Sequence, residues 1–595
     1  MILTVDVFEV YNQKIMFIEE INYYFGIKPQ SDIKMGRYQL DKNDICKIAR
    51  ENDPDEYNVF KQTSIHDRLE RINEFDREEY IESSLNGEFT LCLHPSRVCN
   101  LNCRYCFKDS EYLGKESLNF EQAKAAIDFL TDTYAPMGER YIVDLSGSGE
   151  PLLKIDLIKQ ITNYCCEKRK KIFKLIGVMF ASNLTLLTPE IAEYLDQPSA
   201  EAPFAVGTSI DGDQLTNDRN RIYASGKGTY EDIVNSLKLF KNKKIGTAVT
   251  LTPVNQNVDE IYDHLYRLPN VDCISMRFVR SFDGGKYDFE NFDPDYLVEH
   301  YSKLCDNIIA NVRAGRKDYL IMLLKGSDYF GDMLKNNILK GITRWYRCDA
   351  GRNRIVINDK GDVFACSVFY NNKDFCMGNI YTNPPSYGQS SQFWEISKQR
   401  SEKCPQCPIR MVCGGECYAN GYLKHNDIFK PLDKMCEINI KLHHLSIAFL
   451  QKLKWDYPDV FKVLIDFSFK TNREHFSVLD GWIVAAYLST HGYEFNYDKV
   501  HDSLNGVNTN DLKSVYGAML KTVREYRPEA DLYKIFPEDE MEYPAITVVN
   551  KKRYLLIVGE EGDNFKVRDS NCKPGEVLLM KKKKLVSDSE GIVIV

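Results

Sequence analysis

Between residues 89 and 313, short β-rich runs alternate with amphipathic stretches of helical period. Apolar and β-branched residues gather over 90–94, 141–145, 177–181, 204–209, 246–251 and 273–278, which predicts strands. Apolar positions recurring every three or four residues predict helices over 120–133, 154–168, 230–241 and 296–312. Successive strand–helix units specify an α/β domain with a parallel sheet. Curled into a partial barrel, it places its chemistry at the carboxyl ends of the strands.

Outside this rhythm the pattern changes. Residues 3–9 and 14–20 read as strands around Tyr11-Asn12-Gln13, with helices expected over 40–51 and 65–73. In the tail an apolar helix covers 482–488 and stops at Gly492. Helices over 497–504 and 509–525 follow, then strands over 543–549, 553–559 and 565–569. The segment 381–392, rich in Pro, Ser, Gly and Gln, reads as a loop, and no internal repeat is present.

A length of 595 residues with 43% hydrophobic content suits three or four domains with ordinary cores. The net charge of -9 argues against a general nucleic-acid binder. The lysines at 581–584, flanked by Leu579, Met580 and Leu585, read as a solvated turn or strand end. Neither a signal-like start nor an apolar run long enough to span a bilayer is found, so a cytoplasmic chain without a membrane span is expected.

Ten of the 18 cysteines fall in two spaced sets. In a reducing compartment this favours metal ligation over disulfides. The first set is Cys99, Cys103 and Cys106. Zinc normally wants four protein ligands, whereas three thiolates on one loop hold three irons of a cubane and leave the fourth open to a small molecule. This spacing, with Tyr105 before the last cysteine, resembles the signature of the radical SAM superfamily. The resemblance implies a [4Fe-4S] cluster whose open iron takes the amino and carboxylate groups of S-adenosylmethionine. One electron then breaks the sulfonium to give a 5′-deoxyadenosyl radical.

The turn Ser146-Gly147-Ser148-Gly149-Glu150-Pro151 follows the second strand and resembles that family's Gly-Gly-Glu-Pro element, which implies cofactor contacts for Ser148, Gly149 and Glu150. Ser182 and Asn183 end the third strand, Ser209 ends the fourth, and all offer short polar groups at the rim. The segment Asn217-Asp218-Arg219-Asn220-Arg221 resembles the family's His-Asp-x-x-Arg element, with Asn217 in the histidine position. By that resemblance Arg221 pairs with the cofactor carboxylate, a task a guanidinium fork suits.

The second set runs Cys348, twelve residues, Gly361, four residues, Cys366, then Cys404-x2-Cys407-x5-Cys413-x3-Cys417 and finally Cys436. This order resembles the SPASM extension. The resemblance implies two auxiliary [4Fe-4S] clusters, for three in all: one on Cys404, Cys407, Cys413 and Cys436, the other on Cys348, Cys366 and Cys417. The fourth ligand of the latter is open, with Cys305 and Cys376 as candidates. If one iron stays open, it can hold a substrate thiolate beside a carbon radical.

The tail resembles the papain-like peptidase domain of bacteriocin exporters, but without its chemistry. Asp480 stands where the nucleophilic cysteine is expected, Arg553 near the histidine position, and Ser570 follows the candidate aspartate Asp569. The domains expected are 1–88, an accessory domain for leader recognition or a cap on the barrel; 89–330, the partial (β/α)6 radical SAM barrel; 331–450, the SPASM module; and 451–595, an α+β papain-like pseudo-peptidase that grips a leader. A private accessory domain is the alternative for the tail.

The resemblance implies a maturase acting on a ribosomally made precursor peptide, forming a thioether or carbon–carbon link, with a flavodoxin or ferredoxin type electron donor. An anaerobic sulfatase-maturating enzyme is the first alternative, although Ser367 replaces the aspartate that serves there as base and Asp349 is no obvious substitute. A non-catalytic iron–sulfur electron carrier is the second.

Overall fold

The computed structural model describes residues 2–54, 88–106, 118–136, 138, 140–147, 149–172, 174–197, 204–326, 328–338, 347–387, 401–476, 482–491, 493, 497–504, 507, 512–539, 541–549, 553–569 and 577–595. The helix expected over 65–73, together with Ser148, Asp480 and Ser570, lies outside them, as do the side chains of Arg553 and Asp569.

Near the N terminus β1 (Ile2–Val10), β2 (Gln13–Ile18), β3 (Tyr23–Ile27) and β4 (Gly36–Asp41) form an antiparallel sheet in the order β3-β2-β1-β4. Sequence patterning finds only the first two. Every residue of β3 is buried, so the strand lacks the alternation that marks a half-buried one. The helix Lys42–Asn52 follows, capped by the Asp41 side chain, which accepts from the backbone N–H groups of Asn43 and Asp44.

The central sheet is built from β5 (Glu88–Cys92), β6 (Arg140–Asp144), β7 (Leu175–Ser182), β8 (Phe204–Ser209), β9 (Ile245–Leu251) and β10 (Val271–Phe278), each parallel to its neighbour in chain order. The expected strands fall at these positions. In β9 Ile245, Thr247, Val249 and Leu251 are buried while Gly246, Ala248 and Thr250 are half-buried, the alternation of a strand with helices on one face and a lumen on the other. The helix expected over 120–133 is Phe120–Asp128 and then widens into a π-helical turn, Phe129–Tyr134.

On the free edge of β5 the sheet continues. β11 (Arg354–Ile357) pairs parallel with β5, and the antiparallel strands β12 (Asp362–Phe364) and β13 (Cys376–Asn379) extend it to nine strands, with β10 and β13 at its two ends. The barrel is therefore open. Its edge carries the second cysteine region directly, with Cys348 ahead of β11 and Cys366 just after β12.

One hydrophobic core unites the barrel, the long helix Asp433–Asp456, and Ile15, Phe17 and Tyr24 of the N-terminal sheet. That sheet lies against the long helix, where Phe8 stacks on His444 with centroids 3.8 Å apart and Phe17 meets His443 edge-on at 5.2 Å. Arg410 ties the same sheet to the cysteine module, pairing with the fully buried Glu19 and, at 3.3 Å, with Glu20.

The tail forms separate cores. Its antiparallel sheet runs β14-β19-β15-β16-β17-β18, made of β14 (Leu532–Lys534), β15 (Ala545–Val549), β16 (Arg553–Glu561), β17 (Asn564–Asp569), β18 (Leu578–Lys581) and β19 (Ile592–Ile594). Helix Trp482–Thr490 packs against it, with Ile483, Val484, Ala485, Ala486, Tyr487 and Leu488 all buried, as a helix apolar on every side must be. The three strands missed in the sequence have three or four residues, too few for a period to show. The lysine run begins at the end of β18 and continues into the helix Lys582–Asp588. Among the described residues no helix is long and apolar enough to cross a membrane.

Candidate functional site

The cysteine loop leaves β5 and is bonded on both sides to neighbouring elements. Asn102 N–H donates to Ile222 O at 2.7 Å and Arg104 N–H to Asn220 O at 2.9 Å, so the loop runs as a short extra ribbon beside the 220–223 segment. On its other side Glu150 N–H donates to Val98 O at 2.8 Å. That contact requires glycine next door. Gly149 has φ +78°, and a Cβ there would stand 2.4 Å from Val98 O. At Gly147 a Cβ would fall 2.1 Å from His94 Cδ2.

Glu150 is buried, and both its oxygens are used. Oε1 accepts from Ser182 Oγ at 2.6 Å and Leu152 N–H at 3.0 Å, and Oε2 accepts from Asn183 N–H at 2.8 Å. Burial raises its carboxyl above the ordinary range, while these donors and Arg221 oppose the rise. Asn183 also reaches Asn100 Oδ1 at 2.9 Å. The ends of β6 and β7 are thus locked to the cysteine loop through one carboxylate.

Arg221 follows the short helix Gln214–Asn220 and is buried, with Nη1 donating to Tyr105 OH at 2.6 Å and Nε left without a hydrogen-bond partner. Asn217 fixes its approach: Oδ1 accepts from Asp211 N–H at 3.2 Å and Nδ2 donates to Thr229 Oγ1 at 3.1 Å. Ser209 ends β8 two residues ahead of Asp211. Cys99, Cys103 and Cys106 lie within electrostatic reach of one another, and Cys99 and Cys103 also of Arg221. Burial pushes the Cys103 thiol up to about 11, with Arg221 pulling it down.

The second set divides into two groups. Cys404, Cys407, Cys413 and Cys436 influence one another, with Glu416 beside Cys413 and Cys436. Cys348, Cys366 and Cys417 form the other group, facing Arg280 from the end of the barrel. Cys305 is elsewhere, sealed in the helix Pro294–Arg313 beside Asp306. Cys376 donates to the carbonyl of Gly378 at 3.3 Å. A thiol outside both spaced sets, Cys92 at the end of β5, shares with Cys366 the neighbourhood of the Arg354–Asp144 pair, which is closed at 2.6 Å. Its place at the carboxyl end of a strand legible in the sequence was the available signal.

Ser367, next to Cys366, sits 3.3 Å from Nε2 of His94, whose ring stacks on Tyr370 with centroids 4.5 Å apart. Among the described residues no three His, Cys, Asp or Glu side chains pinch tightly enough to hold one metal ion. A cubane, where each iron takes one thiolate, asks for a wider spacing, and the donor set fits it.

An open parallel barrel whose rim holds three thiols, a glycine turn and a buried arginine defines a radical SAM domain. Residues 93–268 match the Radical SAM superfamily, and the chain is an enzyme carrying that domain. The chain is 25% identical over 354 residues to the antilisterial bacteriocin subtilosin biosynthesis protein AlbA of Bacillus subtilis (strain 168), covering 57% of this chain and 70% of that one. Against the cysteine-type anaerobic sulfatase-maturating enzyme of Clostridium novyi (strain NT) it is 24% identical over 336 residues, covering 55% and 86%. In fold it resembles native anSMEcpe with bound AdoMet, at a TM-score of 0.50 and 18% identity over 64% of this chain and 100% of that one. S-adenosylmethionine and a [4Fe-4S] cluster belong to this superfamily. An electron carrier without catalysis no longer fits.

Proposed function

We propose that this enzyme modifies a ribosomally made precursor peptide through hydrogen abstraction by a 5′-deoxyadenosyl radical, closing a thioether or carbon–carbon link. The observation that carries the reading is the cysteine loop of Cys99, Cys103 and Cys106, held between the Gly149–Glu150 turn and Arg221, whose buried Nε awaits an acceptor. When bound, the cluster and S-adenosylmethionine supply the radical. The chain's own residues would hold S-adenosylmethionine: the backbone around Gly149 would take the ammonium, Arg221 and Tyr105 the carboxylate, and Ser182, Asn183 and Ser209 would complete the rim. Glu150 acts by holding the turn and rim together.

The kinship to a subtilosin biosynthesis protein supports a peptide substrate. The seven cysteines of residues 331–450 support a SPASM module with two auxiliary [4Fe-4S] clusters, of which the one on Cys348, Cys366 and Cys417 would have an iron left for a substrate thiolate or for Cys92. A buried helix against an antiparallel sheet supports a papain-like, inactive tail that holds a leader. The reliance on free thiols supports a reducing cytoplasm and a flavodoxin or ferredoxin type donor.

A sulfatase-maturating activity is the second reading, favoured by the Clostridium novyi relative. Ser367 in contact with His94 is a different proton acceptor from a carboxylate. Coexpression with the short peptides encoded beside the gene, followed by mass spectrometry, separates the readings. A cross-link removes two hydrogens and keeps every sulfur; formylglycine formation from a cysteine loses one sulfur. Reconstituted enzyme that releases no 5′-deoxyadenosine with reductant and S-adenosylmethionine would refute both.

A further inference from the structure

The turn that carries Cys404 and Cys407 is held from outside by the N-terminal sheet. Among the described residues, the backbone hydrogen bonds of 401–413 close within the segment, from Cys404 N–H to Ser401 O at 3.0 Å through to Cys413 N–H to Ile409 O at 2.9 Å. They shape the turn but do not place it against its neighbours. The ion pair of Lys403 with Asp433, 2.7 Å long, has side chains 74% and 75% exposed, so it anchors the turn weakly. Two arginines reach the turn instead. Arg37 of β4 donates through Nη1 to Gln406 O at 3.0 Å and through Nη2 to Glu19 at 2.7 Å. Arg410 donates through Nη1 to Cys407 O at 3.3 Å, meets Glu19 with the same nitrogen, and pairs with Glu20 through Nη2 at 3.3 Å. Each guanidinium therefore joins the Glu19 carboxylate to a carbonyl of the Cys404-Pro405-Gln406-Cys407 turn.

Glu19 opens the 3-10 turn Glu19–Ile21 between β2 and β3, and its side chain is fully buried. A carboxylate there is costly unless cations meet it, so its place fixes theirs. Guanidinium groups are planar and bond in fixed directions, and so pass that placement on to the two carbonyls. The neighbouring carboxylates have further partners of their own: Glu20 accepts from Thr4 N–H at 3.0 Å, and Asp6 stands 3.9 Å from His444.

We propose that Glu19 is a positioning residue for the auxiliary cluster on Cys404, Cys407, Cys413 and Cys436, setting the Cys404–Cys407 turn through Arg37 and Arg410. The N-terminal sheet then belongs to that metal site. This rests on the reading of those four cysteines as ligands of one cluster.

The test uses reconstituted full-length protein with Cys99, Cys103 and Cys106 replaced by alanine, so that only auxiliary iron remains. Iron release to an excess of a ferrous-iron chelator is followed by absorbance, with iron per chain, electron paramagnetic resonance of the reduced protein and thermal midpoints recorded alongside. A further variant with Cys404→Ala and Cys407→Ala identifies the release phase of the four-cysteine cluster. Glu19→Gln and Arg37→Gln should each speed that phase roughly tenfold and shift its resonance signal, leaving the other phase alone. Arg37→Lys, which keeps the charge but loses the fork, should fall between. Val7→Ala, in the core of the same sheet, loosens the sheet without touching either guanidinium and should leave both phases at the parent rate. Iron for fewer than two auxiliary clusters in the parent, or a full set of phases after Cys404→Ala and Cys407→Ala, would overturn the ligand reading itself. With that reading intact, an unchanged phase in Glu19→Gln would overturn the role of Glu19, as would an equal acceleration by Val7→Ala at an equal loss of thermal midpoint. If Glu19→Gln does not fold, Arg37, whose side chain is 42% exposed, carries the test, and an unchanged phase in Arg37→Gln overturns the role equally.

Discussion

Replacing Gly149 by alanine separates the cost of an unusual backbone from the cost of a blocked contact. Gly149 has φ +78° and Gly226 has φ +85°, both in the left-handed region. A side chain there costs about 1–2 kcal/mol for the conformation alone. Around Gly226 no atom lies within 4 Å of the added Cβ, so G226A should show that cost and nothing more. At Gly149 the Cβ would meet Val98 O at 2.4 Å, Val98 N at 2.8 Å and Ser96 O at 2.9 Å, all backbone. The turn and the cysteine loop must then part by roughly 1 Å to restore ordinary contact. The hydrogen bond from Glu150 N–H to Val98 O, 2.8 Å long, is lost, adding about 0.5–1.5 kcal/mol. Spread over the cofactor edge, a loss of about 1.4 kcal/mol weakens binding tenfold. Equilibrium binding of S-adenosylmethionine to reconstituted protein, with thermal midpoints recorded in parallel, is the assay. G149A should bind at least about tenfold more weakly, and G226A should bind as the wild type does. Equal affinity for all three proteins, with the stability losses in place, would refute the placement of the cofactor against this turn.

Other outcomes follow from burial. The Cys103 and Cys413 thiols are pushed up to about 11 by burial and Cys348 to about 12, so they are protonated near neutrality, and under the proposed reading of these cysteines as cluster ligands iron would have to displace their protons. Iron incorporated per chain should rise between pH 7 and pH 8.5, with proton release measurable in weak buffer; uptake independent of pH would contradict this. Asp328, fully buried with backbone N–H donors from Phe330 and Gly331, is raised by burial to about 6. Its folded form holds a proton that the unfolded chain releases, so stability falls as pH rises from the unfolded value toward 6 and is flat beyond. From pH 5 to pH 7.5 the stability of Asp328→Asn relative to wild type should improve by about 1.4 kcal/mol, read from thermal midpoints at the two pH values. Arg410→Met would leave the buried Glu19 with Arg37 alone, at 2.7 Å, and should cost about 3 kcal/mol. Limited proteolysis should then cut within residues 2–54 sooner than in the wild type; unchanged digestion would show that the ion pairs do not anchor this sheet.

The six barrel strands and the spacing of ten cysteines were legible in the chain because both are local. A half-buried strand must alternate, the three thiols of the first loop lie a few residues apart, and the second set is read from a spacing pattern written along the chain. The Gly149–Glu150 turn and Arg221 were legible as motifs for the same reason. Their partners were not. That Glu150 ties Ser182 and Asn183 to the cysteine loop and that Ser367 meets His94 are contacts between residues far apart in sequence, set by how the sheet closes. The division of the auxiliary cysteines into a group of four and a group of three came from resemblance, and only the packing brings residues from distant segments into each neighbourhood. Strands β3, β14, β18 and β19 escaped notice because full burial or extreme shortness erases periodicity. Sequence alone determined which chemistry the chain can carry, since thiols, glycines and an arginine have fixed chemical capacities. Tertiary structure decided which of them meet, because burial and charge depend on neighbours that no local pattern records.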